Sequence, residues 1–202
     1  MKTNEVYQFK ITLNDSKPTI WRRILVPSNY SFWDLHVAIQ DSMGWADYHL
    51  HLFEIKDPAT GIKVEIGIPD EDDEIYERVI LPDNKLKISK YFNENNCHAR
   101  YEYDFGDSWV HTIKLEKILP ASTGDKYPQC IAGKMACPPE DCGGMGGYYH
   151  LLSVVSDPQN EEYNDKIEWL GEDFIPERFD PKEVMFDDPK ERFKQMKNGL
   201  GI

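Results

Sequence analysis

The sequence predicts an α+β domain whose antiparallel or mixed sheet is built from two β-hairpins and one further strand. Three observations predict it. Apolar residues alternate with polar ones at Tyr7, Phe9, Ile11 and Leu13, and strand-like runs recur over 20–26 and 101–118. A capped stretch at helical spacing follows the first hairpin. The other helix-like segments gather in the last third of the chain, and this segregation of strands and helices favours α+β over alternating α/β.

Each element has a local reason. Residues 14–18 turn between strands 7–13 and 20–26. Ser31 is placed as a helix N-cap, with Asp34 three residues on in the position of a capping box. Leu35, Ala38, Ile39, Ser42 and Met43 follow at helical spacing until Gly44 stops the helix. A strand over 49–56 completes a β-β-α-β opening, which is compatible with a ubiquitin-like β-grasp. Residues 57–77 are turn-rich and acidic and are expected as a loop, followed by a short amphipathic piece at 85–91. The second hairpin pairs 101–105 with 109–118, and Gly106-Asp107 sits where a two-residue type II′ turn needs glycine first. Residues 128–147 read as a rigid, cysteine-bearing loop. A helix from about 145 ends at Asp157-Pro158, and two acidic helices are expected near 161–170 and 183–198. The length suits a single domain over 1–202, with a core at about 5–158 and an acidic helical extension at about 159–202.

Five Trp, eleven Tyr and nine Phe supply the core of this 202-residue chain. Its formal charge is −13, but seven acids fall in 65–77 and thirteen in 157–202, and the remainder balances. That distribution offers no basic stripe and disfavours nucleic acid as a direct partner. No apolar run approaches the roughly 18–20 residues needed to span a bilayer, and no signal peptide is visible, so the expected location is the cytoplasm. In such a compartment four cysteines point to reduced thiols or a metal before disulfides.

Several strings could carry chemistry. Cys130, Cys137 and Cys142 cluster in one loop, and His111 or the His49/His51 pair would complete a tetrahedral zinc set. Neither gap is the two-residue spacing common in zinc sites, and the competing reading is three small apolar side chains in a tight turn. His49 and His51 fall on one face of the predicted strand, suited to metal capture or acid–base work, or else are core-edge residues. Asp104 and His111 flank the second hairpin, where a carboxylate could orient an imidazole; equally, Asp107 and Ser108 could serve the turn while Trp109 anchors it. Glu140 and Asp141 could line a cleft or face solvent. Gly143-Gly144-Met145-Gly146-Gly147 lacks the Walker lysine and hydroxyl, and Asp104-Phe105-Gly106 lacks every other kinase element.

Four strings occur in order: Ile20-Trp21-Arg22-Arg23; Met43-Gly44-Trp45 with His49 and His51; Tyr103-Asp104-Phe105-Gly106-Asp107 with Trp109 and His111; and Pro138-Pro139-Glu140-Asp141-Cys142-Gly143-Gly144. Together they resemble the plasmid pRiA4b ORF-3-like family over about residues 5–185. The resemblance implies an α+β domain and marks these strings as the family's signature. It implies no reaction, cofactor or catalytic residue. Its variable first two cysteine positions weaken a metal role for Cys130 and Cys137. Two functions therefore stand side by side. One is a non-catalytic module that engages a protein or small ligand through its aromatic surface and the 138–142 loop. The other is a metal-assisted or hydrolytic enzyme built from His49, His51, Asp104, Asp107, His111, Glu140 and Asp141, which requires those residues to converge.

Overall fold

The computed structural model describes residues 5–70, 78–171 and 174–200. Its strands are β1 (Glu5–Leu13), β2 (Trp21–Pro27), β3 (His51–Lys56), β4 (Lys63–Gly67), β5 (Ile80–Pro82), β6 (His98–Tyr103), β7 (Trp109–Pro120) and β8 (Gln129–Lys134). Its helices are α1 (Phe32–Met43), α2 (Gly144–Val155), α3 (Tyr163–Leu170) and α4 (Pro189–Leu200). The strands form one open mixed sheet in the order β5-β4-β3-β6-β7-β1-β2-β8. Only the β4–β5 pairing is parallel among these neighbours. The fold class is α+β, as the alternation and segregation of elements predict.

Period-two alternation decides which face is buried. Phe9, Ile11 and Leu13 on β1 point inward, with Ile24 and Val26 of β2, Phe53 of β3, Tyr101 and Tyr103 of β6, and Trp109 and Ile113 of β7. Each such side chain contributes about 1.5–3 kcal/mol when removed from water. The opposite face is polar: Arg23 on β2 forms a two-point ion pair with Glu116 on β7, at 2.6 and 3.0 Å.

Helix α1 covers the apolar face. Its capping box forms as the sequence predicts: the Ser31 hydroxyl accepts from the Asp34 amide at 3.1 Å, and Asp34 accepts from the Ser31 amide at 2.7 Å. Gly44, with φ 95°, ends it. The helix is buried nearly all round because two layers cover it. The sheet lies on one side; on the other, Trp33 donates to the Pro189 carbonyl at 2.8 Å and meets the Phe193 ring of α4 at 5.2 Å. No helix among the described residues is long and apolar enough to cross a membrane.

Several sequence expectations are corrected. Part of the 57–77 segment forms β4, although residues 71–77 lie outside the described residues. Residues 129–134 of the cysteine loop form edge strand β8, whose alternation is broken by a register shift opposite Arg23/Ile24. The 104–108 connection has five residues rather than a two-residue type II′ turn. Asp104 (φ 56°) and Ser108 (φ 54°) take the left-handed conformation, Gly106 does not, and the Ser108 amide closes the turn on the Asp104 carbonyl at 2.6 Å. Aspartate tolerates this conformation and its carboxylate serves the local amides, so the loop takes in extra residues. β1 has antiparallel neighbours on both sides, β2 and β7, so the topology is not the β-grasp, in which the first strand has a parallel neighbour.

Candidate functional site: a histidine and two aspartates

Three sequence strings meet at one end of the sheet, where β3 begins and β6 ends. Trp45, buried just past α1, donates from Nε1 to the Pro138 carbonyl at 2.9 Å. The Ala46 amide donates to Glu140 Oε2 at 2.9 Å. The Tyr103 hydroxyl donates to Glu140 Oε1 and accepts from the Tyr48 amide at 3.0 Å. Asp107 Oδ2 accepts from the Gly143 amide at 3.1 Å. The glycines permit this closeness. A Cβ on Gly144 (φ 65°) would stand 2.5 Å from the Asp107 carbonyl oxygen, and one on Gly147 would overlap the Cys142 carbonyl.

These contacts bring His49, Asp104 and Asp141 together. His49 Nε2 lies 3.1 Å from Asp141 Oδ1 and 3.7 Å from Asp104 Oδ2. One ligand atom from each residue falls within 4.8 Å of the others, and among the described residues no other set of three His, Cys, Asp or Glu does so. Despite its nearness to Asp141, His49 Nε2 makes no hydrogen bond, and the atom is shielded from solvent. Its distance from Asp141 fits an ion pair, but its direction does not fit a hydrogen bond. Asp104 divides its work: Oδ1 accepts from the Gly106 amide at 2.9 Å and the Asp107 amide at 3.3 Å, while Oδ2 faces the gap.

The spacing suits a cation. Ligands about 2.1 Å from a shared ion stand about 3.0 Å apart in an octahedral arrangement and about 3.4 Å in a tetrahedral one. The separations of 3.1 and 3.7 Å lie close to that range. One imidazole and two carboxylates suit manganese, iron or zinc, and three protein ligands leave coordination positions open. The Asp141 side chain is 68% exposed, so this corner of the gap borders solvent. Backbone strain concentrates around it: Asp47, Asp104, Ser108 and Asp141 all have φ between 54° and 64°. Such conformations cost of order 1–3 kcal/mol each and persist where surrounding contacts enforce them.

The other sequence candidates go elsewhere. His51 is buried inside the fold; it pairs with Asp83 at 2.9 Å and stacks on His36 with ring centroids 3.5 Å apart. His49 precedes β3 and does not share that environment. His111 does not face Asp104, because its cross-strand partner is Tyr101. It is fully buried, its Nδ1 donates to the Trp109 carbonyl at 2.9 Å, and burial lowers its pKa to about 3. Its Nε2 has no hydrogen-bond partner. Asp107 and Glu140 hold the loops together through the amide and hydroxyl contacts above. Cys130, Cys137 and Cys142 join no three-ligand group. Burial raises all three thiol pKa values, that of Cys142 to about 12, which keeps them protonated and poor nucleophiles.

Tyr103 and Trp45 carry no role that the sequence alone predicts, although both lie in the signature strings. Nor does it predict one for His36, which lies in a buried directional chain. Gln40 donates to the Tyr101 hydroxyl at 2.9 Å, that hydroxyl donates to His36 Nδ1 at 2.8 Å, and His36 Nε2 donates to Asp47 at 2.8 Å. This chain pins Asp47, two residues before His49. The positions are 11 to 65 residues apart, so no local periodicity signals them.

The fold and these strings have relatives. A crystal structure of a protein of unknown function, MM3350 from Methanosarcina mazei Go1, superposes with a TM-score of 0.85 at 48% identity, covering 92% of this chain and 100% of that one. The uncharacterized protein y4hQ of Sinorhizobium fredii (strain NBRC 101917 / NGR234) is 32% identical over 167 residues, 82% of this chain and 81% of that protein. The profile of the plasmid pRiA4b ORF-3-like proteins matches residues 5–183. With the match spanning both hairpins, α1 and the loop that carries Asp141, the chain belongs to the plasmid pRiA4b ORF-3-like family.

Proposed function

We propose that this protein holds a divalent transition-metal ion on His49, Asp104 and Asp141 and uses its open coordination positions for metal-assisted hydrolysis of a bound ligand. The observation that carries this reading is the ligand-sized gap, into which a shielded imidazole nitrogen without a hydrogen bond and two carboxylates from separate loops are directed. An ion there would polarise a carbonyl or phosphoryl oxygen and lower the pKa of a coordinated water. The contacts of the 138–141 loop favour this over a loop offered to a partner, because the Pro138 carbonyl and both Glu140 oxygens are engaged internally.

A binding module remains the second reading, favoured by one observation: exposed Tyr48 and Leu50 flank His49, and exposed Phe105 follows Asp104. An apolar rim of this kind can press against a larger partner. Steady-state assays separate the two. Protein stripped of metal and reloaded with Mn²⁺ or Zn²⁺ is expected to hydrolyse p-nitrophenyl phosphate or p-nitrophenyl acetate, and Asp141→Asn is expected to lose that activity. No turnover of either substrate by fully loaded protein would favour the binding module.

A further inference from the structure

Asp141 belongs to two features at once. It is one corner of the triad, and it also lines a cleft of about 290 Å³ between α2 and α3. The rest of the wall combines two chemistries. His150 of α2 and Lys166 of α3 offer nitrogen groups, while Leu151 and Trp169 offer apolar surface. Lys166 and Trp169 are three residues apart on α3 and therefore share a side of it. Trp169 is 51% exposed, a large aromatic surface that the core does not use.

The nitrogen groups are loosely held. Glu162 is 3.9 Å from Lys166 Nζ and 3.5 Å from His150 Nε2, and all three side chains are substantially exposed. Exposed pairs of this kind contribute little, so an arriving anion can displace them readily. The volume of about 290 Å³ falls just short of the usual small-molecule sites, which run from about 300 Å³ upward.

We infer that this cleft binds a small molecule made of a planar ring and an anionic group, a phosphate or a carboxylate. The ring lies against Trp169 and Leu151, and the anion meets Lys166 on the wall that Asp141 shares with the triad. The inference rests on the cation reading and adds the substrate class to it.

The test uses the full chain loaded with Mn²⁺ and four probes: phenyl phosphate, benzoate, inorganic phosphate and phenol. Affinity is measured by titration, and proximity to the ion by paramagnetic broadening of probe ³¹P and ¹H resonances. A ring-bearing anion is expected to bind about three- to tenfold more tightly than inorganic phosphate or phenol, a gain of the size aromatic contacts give. Whichever of phenyl phosphate and benzoate does so identifies the anion. Trp169→Ala and Lys166→Gln are expected to remove the gain while leaving Mn²⁺ affinity unchanged, which also reports that both variants fold. If Mn²⁺ binds but neither ring-bearing anion gains over inorganic phosphate, or the gain survives both substitutions, the cleft inference is overturned and the triad stands. If Mn²⁺ does not bind at all, the cation reading itself fails, and the inference falls with it.

Discussion

Arg22 carries a guanidinium into the interior, where it is 1% exposed, and its partners there are carbonyls. Nε donates to Ser42 at 2.8 Å, and Nη1 donates to Trp21 at 2.9 Å and Lys134 at 3.1 Å, while the Phe179 ring lies 3.7 Å from its carbon centre. One side chain thereby ties β2, the end of α1, β8 and the C-terminal segment. Replacing Arg22 with Met keeps the volume but strands those carbonyls, so denaturant unfolding is expected to show a loss of about 2–4 kcal/mol. A loss under about 1 kcal/mol would mean that the carbonyls find other partners. The neighbouring Arg23 points outward to Glu116, and strand alternation alone separates these two adjacent arginines. The sequence shows which face Arg22 takes. It does not show that a charge belongs there, because arginine is rarely buried and its carbonyl partners lie up to 112 residues away.

At the scale of elements, the site depends on how closely the 137–147 loop approaches the 104–108 turn. Gly144 sets that distance, since a side chain there would meet the Asp107 backbone, while Gly147 lets the loop fold tightly on its own Cys142 carbonyl. Gly144→Ala is therefore expected to push the loop from the turn and weaken Mn²⁺ binding by about 10–100-fold, the range seen when supports of metal ligands are lost. Unchanged affinity by calorimetry would show that the loop tolerates the shift. A second support comes from α4. Arg192 bonds Asp41 and Asp187 at 2.7 Å each and lies 3.4 Å from the Ala46 carbonyl, within the segment that leads to His49.

Local signals explain which elements were legible. The capping box and Gly44 fix α1 from a dozen residues, and alternation fixes β1, β2, β6 and β7. The register shift hides β8, and the hairpin turn departs from the expected type because Asp104, not glycine, takes the left-handed conformation. Of the site, the signature strings were visible, and His49, Asp104 and Asp141 were among the candidates. Their grouping was not, because it arises from hydrogen bonds between loops 36 to 94 residues apart.

For the molecule as a whole, buried histidine contributes to the response to acid, beside Glu116, whose pKa the Arg23 pair lowers to about 2. His111 titrates near 3 in the fold against an ordinary value of 6.5, so the unfolded chain binds a proton that the folded chain refuses between those values. Its contribution to stability is therefore complete above about pH 6.5 and falls on acidification towards about pH 3, at up to about 1.4 kcal/mol per pH unit. Burial lowers the pKa of His51 in the same sense. Asp41 acts oppositely: burial raises it from 3.8 to about 6, so its protonation favours the fold as pH drops through that interval. Comparing His111→Gln with the parent protein isolates the histidine contribution. Unfolding free energies of the variant should fall less steeply between pH 6.5 and 3, and equal slopes would assign the acid sensitivity elsewhere.

The proposed cation site draws its three residues, His49, Asp104 and Asp141, from three separate loops. Isothermal titration of metal-stripped protein with Mn²⁺ tests it most directly, with the parent protein set against His49→Ala, Asp104→Asn, Asp141→Asn and Cys142→Ala. One ion per chain is expected in the parent and in Cys142→Ala, with at least about a tenfold loss of affinity in each of the other three. Binding that is absent from the parent, or that survives the loss of His49 and both aspartates while depending on Cys142, would contradict it.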